Sequence, residues 1–140
     1  MAKQSGLGDY IAVDLSNGST VCDISDNITG YEIGNTQGLL DSTTISKSAM
    51  ERLIGLGDLS ISLSGIFDAA TNKSHDVFKT KSGTRTVTIA IGGNTSTYPK
   101  LEAECLVADY NVSRGNDGSL TWAATLNLQS GTVPTWSTVS

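Results

Sequence analysis

Leu59-Ser60-Ile61-Ser62-Leu63-Ser64 alternates apolar and polar residues at every step. Side chains on a strand point to opposite faces with a period of two, so this stretch presents one oily face and one hydroxyl face. A helix would scatter the same residues round its circumference, so the stretch reads as a half-buried strand. Gly65 then interrupts, and Ile66 and Phe67 follow out of phase, which predicts a bulge or bend.

The same period recurs along the chain. Ile11, Val13 and Leu15 share one face of a first strand. Asn17-Gly18, where both positions tolerate positive φ, is a hairpin turn, and Val21, Cys22 and Ile24 return from it. Val87, Ile89 and Ile91 alternate with Thr86, Thr88 and Ala90. Gly92-Gly93-Asn94 turns the chain. Leu101, Ala103, Cys105 and Val107 line one face of a long strand, with Leu106, Ala108, Tyr110 and Val112 on the other. After a turn at Asn116-Asp117-Gly118, Leu120, Trp122, Ala124, Leu126 and Leu128 alternate with Thr121, Ala123, Thr125, Asn127 and Gln129.

Two regions depart from this rhythm. Residues 25–58 read as a long irregular connection punctuated by Gly30, Gly34, Gly38, Gly55 and Gly57; connections of this length are functional or disordered. Inside it, Ser46, Ala49, Met50, Leu53, Ile54 and Gly55 fit either a two-turn capped helix or an extended course. A second helix is predicted from Ser74 as cap to Lys81, stopped by Gly83, with Asp76 early and Lys79 and Lys81 late, matching the helix dipole. The fold class is therefore mainly β: an antiparallel sandwich or barrel, in one domain over 1–140, with one or two short helices and a long inter-strand loop. Its two open edges carry few charges to block pairing with another chain.

Composition narrows the function. The chain has 140 residues, 16% charged, and a net charge of −5; the isoelectric point is about 4.6. Binding nucleic acid by neutralisation needs basic clusters, and Lys79, Lys81 and Arg85 are the densest basic stretch. Cys22 and Cys105 form no CxxC, which removes zinc and thioredoxin readings and leaves open whether they pair. No h-region opens the chain and no stretch approaches about 18 apolar residues, so synthesis in a cytoplasm and no membrane partner are expected.

Catalytic sets are equally absent. His75, the sole histidine, cannot be oriented by the adjacent Asp76 on a helix. Glu102 and Glu104 share a strand face, as paired carboxylates of a glycosidase could, but read better as a solvated face. Asp14, Asp23, Asp26 and Asp41 lack calcium-loop spacing, and Gly6-Leu7-Gly8 precedes a strand without the Gly-Lys-Ser/Thr of a phosphate loop. No enzyme activity, cofactor or metal is expected.

One long segment resembles a known family. Leu40-Asp41-Ser42-Thr43-Thr44, then Ala49-Met50-Glu51-Arg52-Leu53-Ile54-Gly55-Leu56-Gly57-Asp58, then Leu59 to Asp68 with its Gly-Ile-Phe-Asp ending, is similar to the major tail tube proteins of long-tailed bacteriophages. Ile24-Ser25-Asp26, the Ser74–Lys81 helix, the Leu101–Cys105 strand and the Gly118–Leu128 strand followed by Gly131-Thr132-Val133 fit the same order. The resemblance implies a virion tail protein assembled in the host cytoplasm: self-associating six-membered rings, stacked into a tube, through which DNA passes without specific binding. Tail tip or baseplate, tape measure and tail terminator proteins would be its partners. It implies an assembly loop over 25–58, with Leu39, Leu40, Asp41, Thr43, Met50, Leu53, Ile54 and Leu56 between subunits or rings, and a C-terminal arm over 132–140. Six copies would carry −5 × 6 = −30 charges, and a lumen lined by Glu102, Glu104, Thr121, Thr125 and Asn127 would repel phosphate. Two alternatives stand beside it: a head–tail joining or terminator ring of the same fold, and a small β-sandwich sugar binder using Trp122 and Trp136.

Overall fold

The alternating stretch lies in the second half of a 15-residue strand, β4 (Arg52–Ile66), and its apolar members are buried: Leu59, Ile61 and Leu63 are at most 2% exposed. The computed structural model describes residues 8–15, 20–46, 48–129 and 134–139. Before β4 come β1 (Tyr10–Asp14), β2 (Val21–Asp23), a 3-10 turn at Ser25–Asn27 and β3 (Ile28–Asp41). After it come α1 (Ser74–Phe78), β5 (Arg85–Ala90), β6 (Pro99–Arg114), β7 (Leu120–Leu128) and β8 (Ser137–Thr138). The strands form one antiparallel sheet in the order β2-β1-β5-β6-β7-β4-β3, with β8 also on β6.

β6 divides this sheet in two. Its first part, 100–105, pairs with β5, and its second, 105–114, pairs with β7. At the junction the register shifts between Val107 and Asp109. The extra residue, Ala108, inverts the face on which later side chains fall. That corrects the sequence reading of one unbroken alternation: Tyr110 and Val112 stand opposite Ala124 and Trp122, on the side of Val107. Apolar residues of both halves, Ile11 and Ile89 from one and Ile61 and Leu126 from the other, share one core. The sheet thus closes on itself around a single interior, with its polar face outward.

Helix α1 fills the interior with Val77 and Phe78, both 0% exposed. Phe78 packs at 5.1 Å on the Trp122 ring, whose Nε1 donates to the Ile66 carbonyl. Burial of Trp122 removes it from any sugar platform. The helix is shorter than predicted, and Ser74 is not its cap. Lys73 occupies that position, while Ser74 is buried and its backbone N–H donates to Asn27 Oδ1. Asn27 is in turn fixed by Asp68 Oδ2, and Asp68 Oδ1 accepts from Ala70 N. The Asp that ends the Gly-Ile-Phe-Asp stretch therefore ties the 3-10 turn to the start of α1. Arg85 fixes the other end. Fully buried, it donates to the carbonyls of Asp14, Val77, Thr80 and Ser82. Four backbone acceptors replace water around the guanidinium and fasten α1 to β1 and β5.

Cys22 and Cys105 are buried free thiols, and burial pushes the Cys105 thiol up to about 11. Gly92 and Gly93 carry the positive φ their turn requires. The Asn17-Gly18 turn lies outside the described residues, as do 132–133 and 140 of the predicted arm. The rest of the arm returns to the sheet: β8 pairs with Pro99 and Lys100, and Val139 is buried.

The largest correction concerns 25–58. It is not an irregular loop and holds no helix. Apart from the 3-10 turn and a tip at 42–51, it is two long strands, β3 and β4, paired from Ile28↔Gly65 to Asp41↔Arg52. The glycines are close-approach and bulge positions rather than breaks. A Cβ on Gly55 would lie 3.1 Å from the Gly38 carbonyl oxygen, and the register shifts at Gly38. The predicted bulge at Gly65 exists too, with the extra residue Thr29 on β3. A Cβ on Gly65 would stand 1.7 Å from the Asn27 carbonyl oxygen, so no other residue fits there unmoved.

Candidate functional site

Only part of the β3–β4 hairpin belongs to the domain. β4 pairs with β7 from Ser60 to Ile66. The seven residues before that, Arg52 to Asp58, pair with β3 alone and extend roughly 20 Å at ~3.3 Å per residue.

Register places every side chain of this extension. Leu39 stands opposite Ile54 and Leu40 opposite Leu53. Leu39 and Ile54 therefore share the face of Leu59 and Ile61, Leu40 and Leu53 share the face of Ser60 and Ser62, and Leu56 sits at the bulge where β4 sets two residues against Gly38. All five are 56% to 92% exposed, Leu56 most of all. A two-stranded ribbon is marginal in water alone, and one apolar on both faces lacks the wet side that usually solubilises a hairpin. Met50 and Ile45 at the tip are exposed as well.

The Asp-x-Thr element organises the tip. Asp41 Oδ1 accepts from Thr43 N at 2.9 Å. Thr43 Oγ1 accepts from Glu51 N at 2.7 Å and donates to Glu51 O. One hydroxyl thus bridges the two strands where regular pairing ends. Hydrogen bonds from Thr43 N–H and hydroxyl hold the Asp41 carboxyl below the ordinary carboxylate range. All eight residues predicted for the assembly element, Leu39, Leu40, Asp41, Thr43, Met50, Leu53, Ile54 and Leu56, sit on this extension or its tip and are exposed.

The second candidate surface is the outer face of the sheet. The five residues predicted to line a lumen all lie on it, in two groups. Glu102 and Glu104 stand opposite Thr88 and Thr86 and accept hydrogen bonds from their hydroxyls, at 3.3 and 2.8 Å. Thr121, Thr125 and Asn127 lie on β7, where Asn127 stands opposite Leu106 and Ser60, and Thr125 opposite Asp109 and Ser62. Ser62 in turn stands opposite Glu32, and Asp58 opposite Thr36. Along β3, β4, β7 and the second part of β6 the charges on this face are Glu32, Asp58 and Asp109. Glu32 and Asp109 were missed in the sequence. Asp109 follows the bulge that inverts its face, and Glu32 lies in the segment read as loop.

A third feature is an open groove of about 800 Å³ where the two sheet edges approach, between Asp9–Ile11 and Ile28–Tyr31. Tyr31 Oη donates to Asp9 Oδ2 across it, while Asp9 Oδ1 accepts from Gly92 N. Burial and the Asp9 carboxylate together raise the Tyr31 hydroxyl well above its usual value. His75, on α1, bonds through Nδ1 to Tyr110 Oη and packs on Phe67; it meets no carboxylate–hydroxyl pair that would make a triad. Among the described residues no cluster of three metal-ligating side chains exists, and no helix is long and apolar enough to cross a membrane.

No protein-family model matches the chain, and no curated protein matches it. Solved structures do. A chain of a gene transfer agent tail, from an empty particle refined as a helix with C6 symmetry, aligns with a TM-score of 0.69 over 99% of this chain and 100% of its own, at 15% identity. A chain from the virion of a native gene transfer agent particle aligns with a TM-score of 0.67 over the same shares, also at 15% identity. At that identity the likeness is one of fold, and it extends end to end.

Proposed function

We propose that this chain is a structural subunit of a phage-like tail, which self-associates into six-membered rings stacked as a tube that conducts DNA. The observation that carries the reading is the hairpin extension, apolar on both faces and uncovered within one chain. At ~1.5–3 kcal/mol per fully buried aliphatic side chain, covering Leu39, Leu40, Leu53, Ile54 and Leu56 contributes about 5–10 kcal/mol per copy. Association costs about 4–15 kcal/mol in lost freedom. One such contact is therefore marginal, and ring closure, in which each copy makes it more than once, stabilises the whole. The fold shared end to end with a tail chain of C6 symmetry supports six as the ring number.

The outer sheet face supports the conduit. Hydroxyls of Ser60, Ser62, Thr121 and Thr125, with Asn127, offer polarity without positive charge, and Glu32, Asp109, Glu102 and Glu104 repel phosphate. DNA meeting such a wall slides because the wall's carboxylates outnumber the one cation, Lys100, that shares the face of Glu102 and Glu104. Tail tip, tape measure and terminator proteins are the partners such a tube would have.

Negative-stain electron microscopy of purified protein, over rising concentration, tests the reading. Uniform tubes or six-fold rings that elongate are expected. Single rings that never stack would assign the chain to a terminator or joining ring, and a persistent monomer at high concentration would sink self-assembly altogether.

A further inference from the structure

We infer that copies of this chain join head to tail through the two ends of β4, the hairpin end of one copy seating on the Ile66 end of the next. This rests on the tube-wall reading above and adds the receiving surface.

On the outward face of the hairpin Leu40 and Leu53 stand at the far end, Leu56 lies at the bulge opposite Gly38, and Asp58, Ser60, Ser62, Ser64 and Ile66 follow along β4. This face is apolar near one end, polar through the middle and apolar again at the other end. Leu40, Leu53, Leu56 and Ile66 are all exposed. The opposite face repeats the pattern around the core. Leu39 and Ile54 are bare at the hairpin end, while Val112 and Leu120, beside Trp122 on the neighbouring strands, are exposed at the Ile66 end. Along β4 both faces thus carry uncovered apolar side chains at both ends, with only Asp58, Ser60, Ser62 and Ser64 outward between them.

Leu56 and Ile66 are ten residues apart on one strand, roughly 33 Å. A single chain cannot bring them together. A two-fold pairing of hairpin on hairpin would cover one end and leave the other bare. Head-to-tail contact covers both with one interface and repeats indefinitely, the heterologous geometry that builds helical assemblies. Charge favours the same match. Arg114, exposed at the receiving end, has no ion pair among the described residues. The described part of the hairpin extension carries Asp41 and Asp58 beside Arg52.

Oxidative cross-linking tests this. The double variant Leu56→Cys/Ile66→Cys cannot close a disulfide within one chain, because bridged Cα atoms lie within about 7 Å; Cys22 and Cys105 are buried. Mild oxidation of assembled protein is expected to give a ladder of linked multimers on a non-reducing gel. Each single variant should stay monomeric, and an equimolar mixture of the two should stop at dimers. Dimers from Leu56→Cys alone, or tubes with no cross-link in the double variant, overturn the inference while leaving the tube. Failure of the unmodified chain to assemble counts instead against the tube-wall reading. Should the thiols disturb assembly, Leu56→Asp and Ile66→Asp, each added as a minor fraction to the unmodified chain, are expected to shorten the polymers; shortening by only one of them overturns the inference.

Discussion

The two halves of the β3–β4 hairpin share one backbone pairing and differ in everything their side chains meet. In the half near the domain, Leu59, Ile61 and Leu63 face the core and Ser60, Ser62 and Ser64 face out. In the far half, apolar side chains occupy both faces and none is buried. The near half is a solution to folding, since one chain covers its oily face. The far half is left uncovered by its own chain, and in the reading proposed above other chains complete it. Stability of the subunit and capacity to assemble are therefore written on different residues of the same strands.

The comparison breaks most sharply at the near half. Ile61→Ala removes a fully buried side chain from the shared core and is expected to destabilise the subunit by about 2–5 kcal/mol, measured by urea unfolding. Unfolding within ~0.5 kcal/mol of the unmodified protein would show that Ile61 is not part of the cooperative core.

The glycines give a second contrast. Gly65→Ala drives a Cβ into the Asn27 carbonyl, backbone against backbone, and a loss of about 3 kcal/mol is expected. Gly55→Ala meets the Gly38 carbonyl at 3.1 Å, where a free ribbon can splay. Its cost to unfolding should be under ~1 kcal/mol, with weakened assembly as the larger symptom. Equal costs at the two positions would mean that the far half is as rigidly held as the near one.

Leu56→Asp should barely touch the subunit. The side chain is 92% exposed, so the unfolding midpoint should move by no more than ~0.5 kcal/mol equivalent. Sedimentation should nevertheless show the loss of assembled species. Normal tubes from this variant would remove the ribbon from the interface.

How much of this was legible in sequence follows from the same contrast. Period-two alternation exposed β1, the near half of β4, β5, the first part of β6, and β7, but passed over Tyr31 and Ile33 of β3, where Gly30 and Gly34 thin the pattern. It also failed where both faces are apolar. Leu39-Leu40 and Leu53-Ile54 are consecutive apolar pairs because both faces await partners, and consecutive apolar residues erase the alternation that marks a strand. Gly34, Gly38, Gly55 and Gly57 then looked like breaks, whereas they permit close strand approach and a bulge. The eight residues proposed for assembly were nevertheless picked out, because the resemblance rested on local chemistry at Asp41 and Thr43 rather than on periodicity. Glu32 and Asp109 escaped for a register reason: one lay in the misread segment, and the other changes face only through the extra residue at Ala108. Asn27 and Arg85, which fix both ends of α1, escaped because the Asn27 contact to Ser74 spans 47 residues and Arg85, besides its nearby carbonyls, reaches back 71 residues to Asp14.

The smallest expected effect is also the most local. Asp41 is fully exposed and its carboxyl is held below the ordinary range by the Thr43 N–H and hydroxyl. A depressed folded value means that the carboxylate form contributes order above the unfolded carboxylate value of about 3.9, and that this order is lost as pH falls through the folded value. The near half has no titratable group of its own between Leu59 and Ile66. Acid should therefore loosen the tip before the core. Amide exchange at Thr43 and Glu51 should accelerate below about pH 4, while amides of Ile61 and Leu63 remain protected. Asp41→Ala should reproduce the fast tip exchange at neutral pH and remove its pH dependence, with no measurable change in global unfolding. Tip amides that stay protected in that variant would mean that the Thr43–Glu51 bridge holds the hairpin end without the carboxylate.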